Sequence, residues 1–225
     1  KFNGAIGNWN MSGVTDTRFM FNGASSFNRS LNSWNLSKVT QATAMFQNAT
    51  AFNGAIGNWN VSKIKYFDYM FNGASSFNRD VGGWDTGAAQ TMKAMFQGAA
   101  SFNQGISGWK IGNVTDLNHM FYEATAFNGS VAGWNTARAT DMQAMFALAA
   151  AFNQPVGTWN TANVRDFGYM FSEATAFNQP MGSWNTGRAT NMQAMFQSAP
   201  AFNQPIGTWN TSNVTDFSFM FARAT

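Results

Sequence analysis

Val214-Thr215-Asp216-Phe217-Ser218-Phe219-Met220-Phe221, with Ala224 behind it, is the last of nine versions of one stretch. Met-Phe recurs every 25 residues, from Met20-Phe21 to Met220-Phe221, and alanine follows each Phe three residues later. Phe217, Met220, Phe221 and Ala224 stand at i, i+3, i+4 and i+7, one face of a 3.6-residue period. Thr215 suits an N-cap, and Asp216 places a negative charge in the first turn. Gly23, Gly73 and Gly98 fall where such a helix should stop. The spacing therefore predicts a short helix in every repeat. Two turns are marginal alone, so its neighbours must hold it.

Lys1, Ser26 and Ala51 begin successive repeats, and positions within a repeat are numbered here as phases one to twenty-five. Phase two is Phe and phase three Asn in every copy, phase six is aliphatic or Met, and phase nine holds all nine Trp. Phases six, nine and eleven thus spell apolar-x-x-Trp-x-apolar, the spacing that leads into the short strand of a leucine-rich repeat. Alternation there predicts that Trp9 and Met11 are buried while Asn8, Asn10 and Ser12 are exposed. The expected fold is α/β: a leucine-rich-repeat-like solenoid of nine coils, each a short parallel strand plus a short helix. It spans 1–225 as one uncapped array, a slice of a longer array or filament.

A second period lies inside the first. Phase nineteen runs Phe19, Ala44, Tyr69, Ala94, His119, Ala144, Tyr169, Ala194, Phe219, so a ring alternates with alanine and the true unit is two coils, or 50 residues. Helices pack about 8–10 Å apart, whereas paired strands lie about 4.8 Å apart. Staggering large against small residues in alternate coils is the expected answer to that mismatch.

Composition narrows the function. Only 10% of residues are charged, and 13 Lys and Arg are scattered singly for a net charge of +3. Nucleic-acid binding needs a clustered basic face, so no nucleic-acid partner is expected. There is no cysteine to bridge or to ligate a metal. No apolar run reaches the roughly 18 residues of a membrane span, and Lys1 already lies inside a repeat, without a signal peptide. Few charges mean little repulsion between copies, which favours self-assembly.

Residues 202–216, Phe-Asn-Gln-Pro-Ile-Gly-Thr-Trp-Asn-Thr-Ser-Asn-Val-Thr-Asp, continuing to Met220-Phe221 and Ala224, resemble a bacterial-surface-protein repeat. That repeat is a domain of unknown function in Mycoplasma and Listeria surface lipoproteins, related to BspA-like leucine-rich repeats. The resemblance runs through all nine copies. It implies a leucine-rich-repeat-like solenoid at a cell surface and no particular activity. Asp85 and Lys110 depart from the Asn usual after Trp, and Ala89, Ala139 and Ala189 from the usual Val.

Candidate sites are few. His119, the one histidine, fills a ring slot of phase nineteen and has no paired nucleophile. Asp16, Asp116, Asp141, Asp166 and Asp216 share phase sixteen; a stacked calcium row and helix N-terminal charge are alternative readings, and interruptions at Gln41, Tyr66, Thr91 and Asn191 favour the second. The invariant Asn of phase three predicts a buried amide ladder. Sequons occur at Asn10, Asn28, Asn35, Asn48, Asn60, Asn113, Asn128, Asn210 and Asn213.

The strand face offers Asn10, Asn35, Asn60, Asn135, Asn160, Asn185 and Asn210 as binding candidates. The expected function is a non-catalytic, extracellular or cell-surface structural or adhesive protein with no cofactor. It assembles with itself end to end or laterally. The alternative is a recognition module that takes a host protein or a glycan on the polar strand face.

Overall fold

The computed structural model describes residues 1–225. The chain winds into nine stacked coils of 25 residues, joined by parallel backbone pairing at phase sixteen: Asp16 to Gln41, Gln41 to Tyr66, and onward to Asp216. No coil contains a helix, and one bridging residue is the only strand character in each. The predicted α/β, leucine-rich-repeat-like solenoid of strand-plus-helix coils is thereby corrected. Nor is any helix of the structure long and apolar enough to cross a membrane.

The fourth coil shows what replaces the helix. Met92, Ala94, Phe96 and Gly98 donate their N–H groups to the next coil, to the carbonyls of Asp116, Asn118, Met120 and Tyr122, at 2.7–3.1 Å. The residues between them donate three residues back: Met95 to Met92 at 3.2 Å, Gln97 to Ala94 at 3.2 Å, Ala99 to Phe96 at 3.0 Å. Alternate amides thus bind across coils and within the coil. A helix would spend every amide on its own turn and leave none for the stack.

The backbone achieves this with consecutive four-residue turns. Ala94 has φ +51° and Gly98 φ +66°, each at the third position of its turn, where a type II turn needs positive φ. Every phase-nineteen residue takes this left-handed conformation, from Phe19 at +58° to Phe219 at +59°. Non-glycine residues there cost about 1–2 kcal/mol apiece, which the cross-coil bonds must offset. The mismatch between helix and strand spacing is therefore met by using no helix, and there are no helices to stagger.

The expected strand at phases nine to eleven is also absent. Here side chains join the coils instead. Each Trp Nε1 from Trp34 to Trp209 donates to the phase-six carbonyl of the coil before, at 2.8–3.3 Å. The hydroxyls of Thr86, Thr136, Thr161 and Thr186 donate to the coil after, at 2.9–3.3 Å.

The core follows the predicted positions in the inner coils, whereas Trp9, expected to be buried, is 51% exposed in the first coil, where no coil packs on its outer side. Phases two, six, nine, twenty, twenty-one and twenty-four of the inner coils are buried. The Phe of phase two form a column with centroids 5.6–6.0 Å apart. Those of phase twenty-one form another at 5.2–5.9 Å. Trp9, Trp34, Trp59, Trp84 and Trp109 stack at 6.1–6.5 Å. These offset, nearly parallel rings suit the aromatic quadrupole and run along the stack.

Candidate functional site

The predicted binding row is exposed but already occupied with its own backbone. Asn10, Asn35, Asn60, Asn135, Asn160, Asn185 and Asn210 all face solvent. The Oδ1 of each accepts the N–H two residues ahead, at 3.0–3.1 Å. These are turn-forming side chains, and they sit on a turn, not on the strand face expected of them. At the same phase Asp85 and Lys110, the two departures, are neighbours and pair at 3.2 Å. The Lys110 ammonium holds the Asp85 carboxyl below its ordinary range. One departure answers the other.

The phase-three ladder forms, on the surface. Asn28 donates its N–H to the Oδ1 of Asn3 at 3.0 Å, and the pattern repeats to Asn203 on Asn178. Yet every one of these Asn is exposed or half-buried. The ladder was expected to be buried; it closes an edge that water also reaches.

Phase sixteen has the same local logic. Asp16, Asp116, Asp141, Asp166 and Asp216 each accept the N–H two residues on, at 2.8–2.9 Å. With no helix behind them, they serve the turn and the bridge, which corrects the helix-dipole reading. No three His, Asp or Glu side chains converge as a metal would need. Asp116 is half-buried; burial, with a contribution from the Asp141 charge, raises its pKa. Asn118 ties the row together: its Nδ2 donates to Gln143 Oε1 at 2.9 Å and to Asp141 at 3.4 Å, and its Oδ1 contacts His119 Nδ1.

The phase-nineteen row is the feature that stands out from the stack. Phe19 and Phe219 are 56% and 64% exposed, and Tyr69, His119 and Tyr169 are half-buried. Between them Ala44, Ala94, Ala144 and Ala194 are covered to within 3%. At about 4.8 Å per coil, the rings recur roughly every 10 Å along one face. Burial first, then the Lys93 charge, lowers the His119 pKa, against the pull of Asp141 and Asp116.

Between rings of this row the surface is indented. One groove of about 370 Å³ lies over Ala144, between His119 and Tyr169. Another of about 290 Å³ lies over Ala94, between Tyr69 and His119, with Lys93 and Asn118 at its side. The sequence showed the alternation but not that it would shape a face, because the direction of a side chain at positive φ is not legible from a helical count.

Nine coils with one backbone, an invariant aromatic interior and one varied face define a tandem-repeat coil-stack protein. More particularly, the chain belongs to the family described as Mycoplasma protein of unknown function, DUF285. The family's model matches residues 1–71, 53–154 and 130–225, which together cover the whole chain. No curated protein matches it.

Proposed function

We propose that this repeat protein is a non-catalytic structural and adhesive element displayed at a cell surface. The observation that carries the reading is the uninterrupted coil-to-coil pairing from Asp16 to Asp216. Each coil is bonded to the next through four alternate amides, as Met92 to Gly98 illustrate, and the aromatic columns continue through the same joints. Such an array is stiff along its axis, and its stability is a sum over coils and their interfaces. It holds a surface face at fixed spacing.

The low charge and the exposed Asn, Gln, Ser and Thr suit a protein that lies against other surfaces or other copies. An antibody to the folded chain should label intact, unpermeabilised cells, and cells lacking the protein should adhere less. Labelling that requires permeabilisation, or adhesion unaffected by the loss, overturns the reading. Recognition as a more specific role is favoured by one observation, the groove beside Tyr169.

A further inference from the structure

The repeat departs from itself in one region of the varied face. Phase twenty-two is an amide in the first four coils: Asn22, Gln47, Asn72 and Gln97. The first three join as a row, with Asn22 Nδ2 donating to Gln47 Oε1 at 2.7 Å and Gln47 Nε2 to Asn72 Oδ1 at 3.4 Å. The next three coils carry Tyr122, Ala147 and Ser172 instead, and an amide returns at Gln197. Phase twenty-three changes in the same coils, from Gly73 and Gly98 to Glu123, Leu148 and Glu173. Ala147 and Ser172 leave the space that an amide side chain would fill. That space is the groove of about 370 Å³.

Its walls are aromatic and its rim is polar. His119 and Tyr122 stand 5.2 Å apart, tilted by 45°, on one side, and Tyr169 stands on the other. His119 and Tyr169 hold left-handed backbone, at +57° and +59°, where glycine would be cheaper, so their rings are retained at a conformational cost. Ser172, Glu173 and Gln197 line the groove, and their side chains make no hydrogen bond inside the chain. No buried side-chain oxygen or nitrogen lacks a partner, so these free groups are open to the groove and solvent.

Aromatic faces with a few convergent amides, hydroxyls and a carboxylate make a mixed lining of the kind that fixes a small polar ligand. A pyranose matches it, with a C–H face for a ring and hydroxyls for the rim. Glu123 and Glu173 repel phosphate and acidic sugars, and single-stranded nucleic acid requires a basic groove. We propose that the groove over the fifth to eighth coils binds a neutral glycan. It seats a pyranose between His119 and Tyr169, with hydroxyls on Ser172, Glu173 and Gln197. This gives the adhesive part of the proposed function a site and rests on that reading.

The full chain should be titrated calorimetrically with cellotetraose, mannotetraose and chitotetraose, and with an oligogalacturonate as the acidic counterpart. At least one neutral oligosaccharide should bind at one site per chain, and the acidic one should not. Tyr169→Ala should weaken binding at least about tenfold, about 1.4 kcal/mol. Ala147→Gln should abolish it with the melting temperature unchanged, because Gln47 and Gln97 already fit that phase. Tyr69→Ala, outside the groove, should leave it intact.

Failure of all three neutral sugars overturns the proposal, as does binding indifferent to both groove variants. So does concentration-dependent self-association that Ala147→Gln removes, which would make the groove a contact between copies. The melting transition and the surface labelling read the scaffold separately, so a silent titration with an intact stack rejects the glycan site alone.

Discussion

Phe96→Ala tests whether the aromatic columns hold the stack together. Phe96 is fully buried, lies 5.5 Å from Phe71 and 5.6 Å from Phe121, and rests 4.0 Å from Phe102. Truncating a buried Phe costs about 3–5 kcal/mol, more where the cavity cannot collapse. Here it cannot collapse well. Phe71 and Phe121 are fixed by bonds to the coils that follow them, Phe71 N–H to the Met95 carbonyl and Phe121 N–H to the Met145 carbonyl, both at 2.9 Å. A cost near the upper end, about 5 kcal/mol, is expected. With a urea slope of about 2–3 kcal/mol/M, the midpoint falls by about 2 M.

The loss is also local to one joint, and arrays of this kind couple only neighbours. The coils before the fourth and those after it should therefore part into separate transitions. Trp fluorescence during urea titration reports this, because every coil carries one Trp. A single transition with an unchanged slope and a cost under about 1.5 kcal/mol would refute a continuous, rigid column, being what a yielding site allows.

Gly98→Ala places a Cβ at φ +66°, where its nearest neighbour is Gly73 Cα at an ordinary 3.6 Å. The cost is conformational, about 1 kcal/mol, and a gain in melting temperature would contradict the turn. Asn103→Ala removes the acceptor for Asn128 N–H at 2.9 Å; because water reaches this ladder, a urea titration should show about 1 kcal/mol lost, and a loss above about 3 kcal/mol would mean that the ladder is dry. His119 should titrate below its ordinary 6.5 in proton NMR. Its depressed folded value means that its stabilising contribution is complete above about 6.5 and is lost as pH falls through that folded value. His119→Tyr should remove this part of the pH dependence of melting; a midpoint at or above 6.5 would contradict the burial beside Lys93.

The period, the core and much of the coil's chemistry are legible in the sequence, because identical residues at identical phase must meet identical neighbours. Phe27, Trp34, Met45, Phe46 and Ala49 read as core and are core. The helix was misread for a physical reason. Successive four-residue turns with a left-handed step bring phases seventeen, twenty, twenty-one and twenty-four to the same side as a helix does. Apolar spacing alone cannot separate the two. Phase nineteen holds Ala94 and Tyr69 where glycine or asparagine would have signalled positive φ.

The candidate site was visible only as substitutions of unremarkable kind. Asp85 and Lys110 draw attention because they bring charge, and they merely pair with each other. Ala147 and Ser172 matter more, because they are smaller than the amides of the earlier coils and open a space beside rings that no single repeat contains. A groove shared by neighbouring coils is a property of the stack, and its depth follows from which phases face outward.

The direction of the phase-nineteen amide is what separates this coil stack from a strand-and-helix solenoid. Scalar coupling across hydrogen bonds in an isotopically labelled sample measures it at Ala94. The structure predicts coupling from Ala94 N to the carbonyl of Asn118 in the next coil, a 2.8 Å bond, together with a positive φ at Ala94. Coupling instead to the carbonyl of Gln90, four residues back, with φ near the helical value of about −60°, would contradict the account.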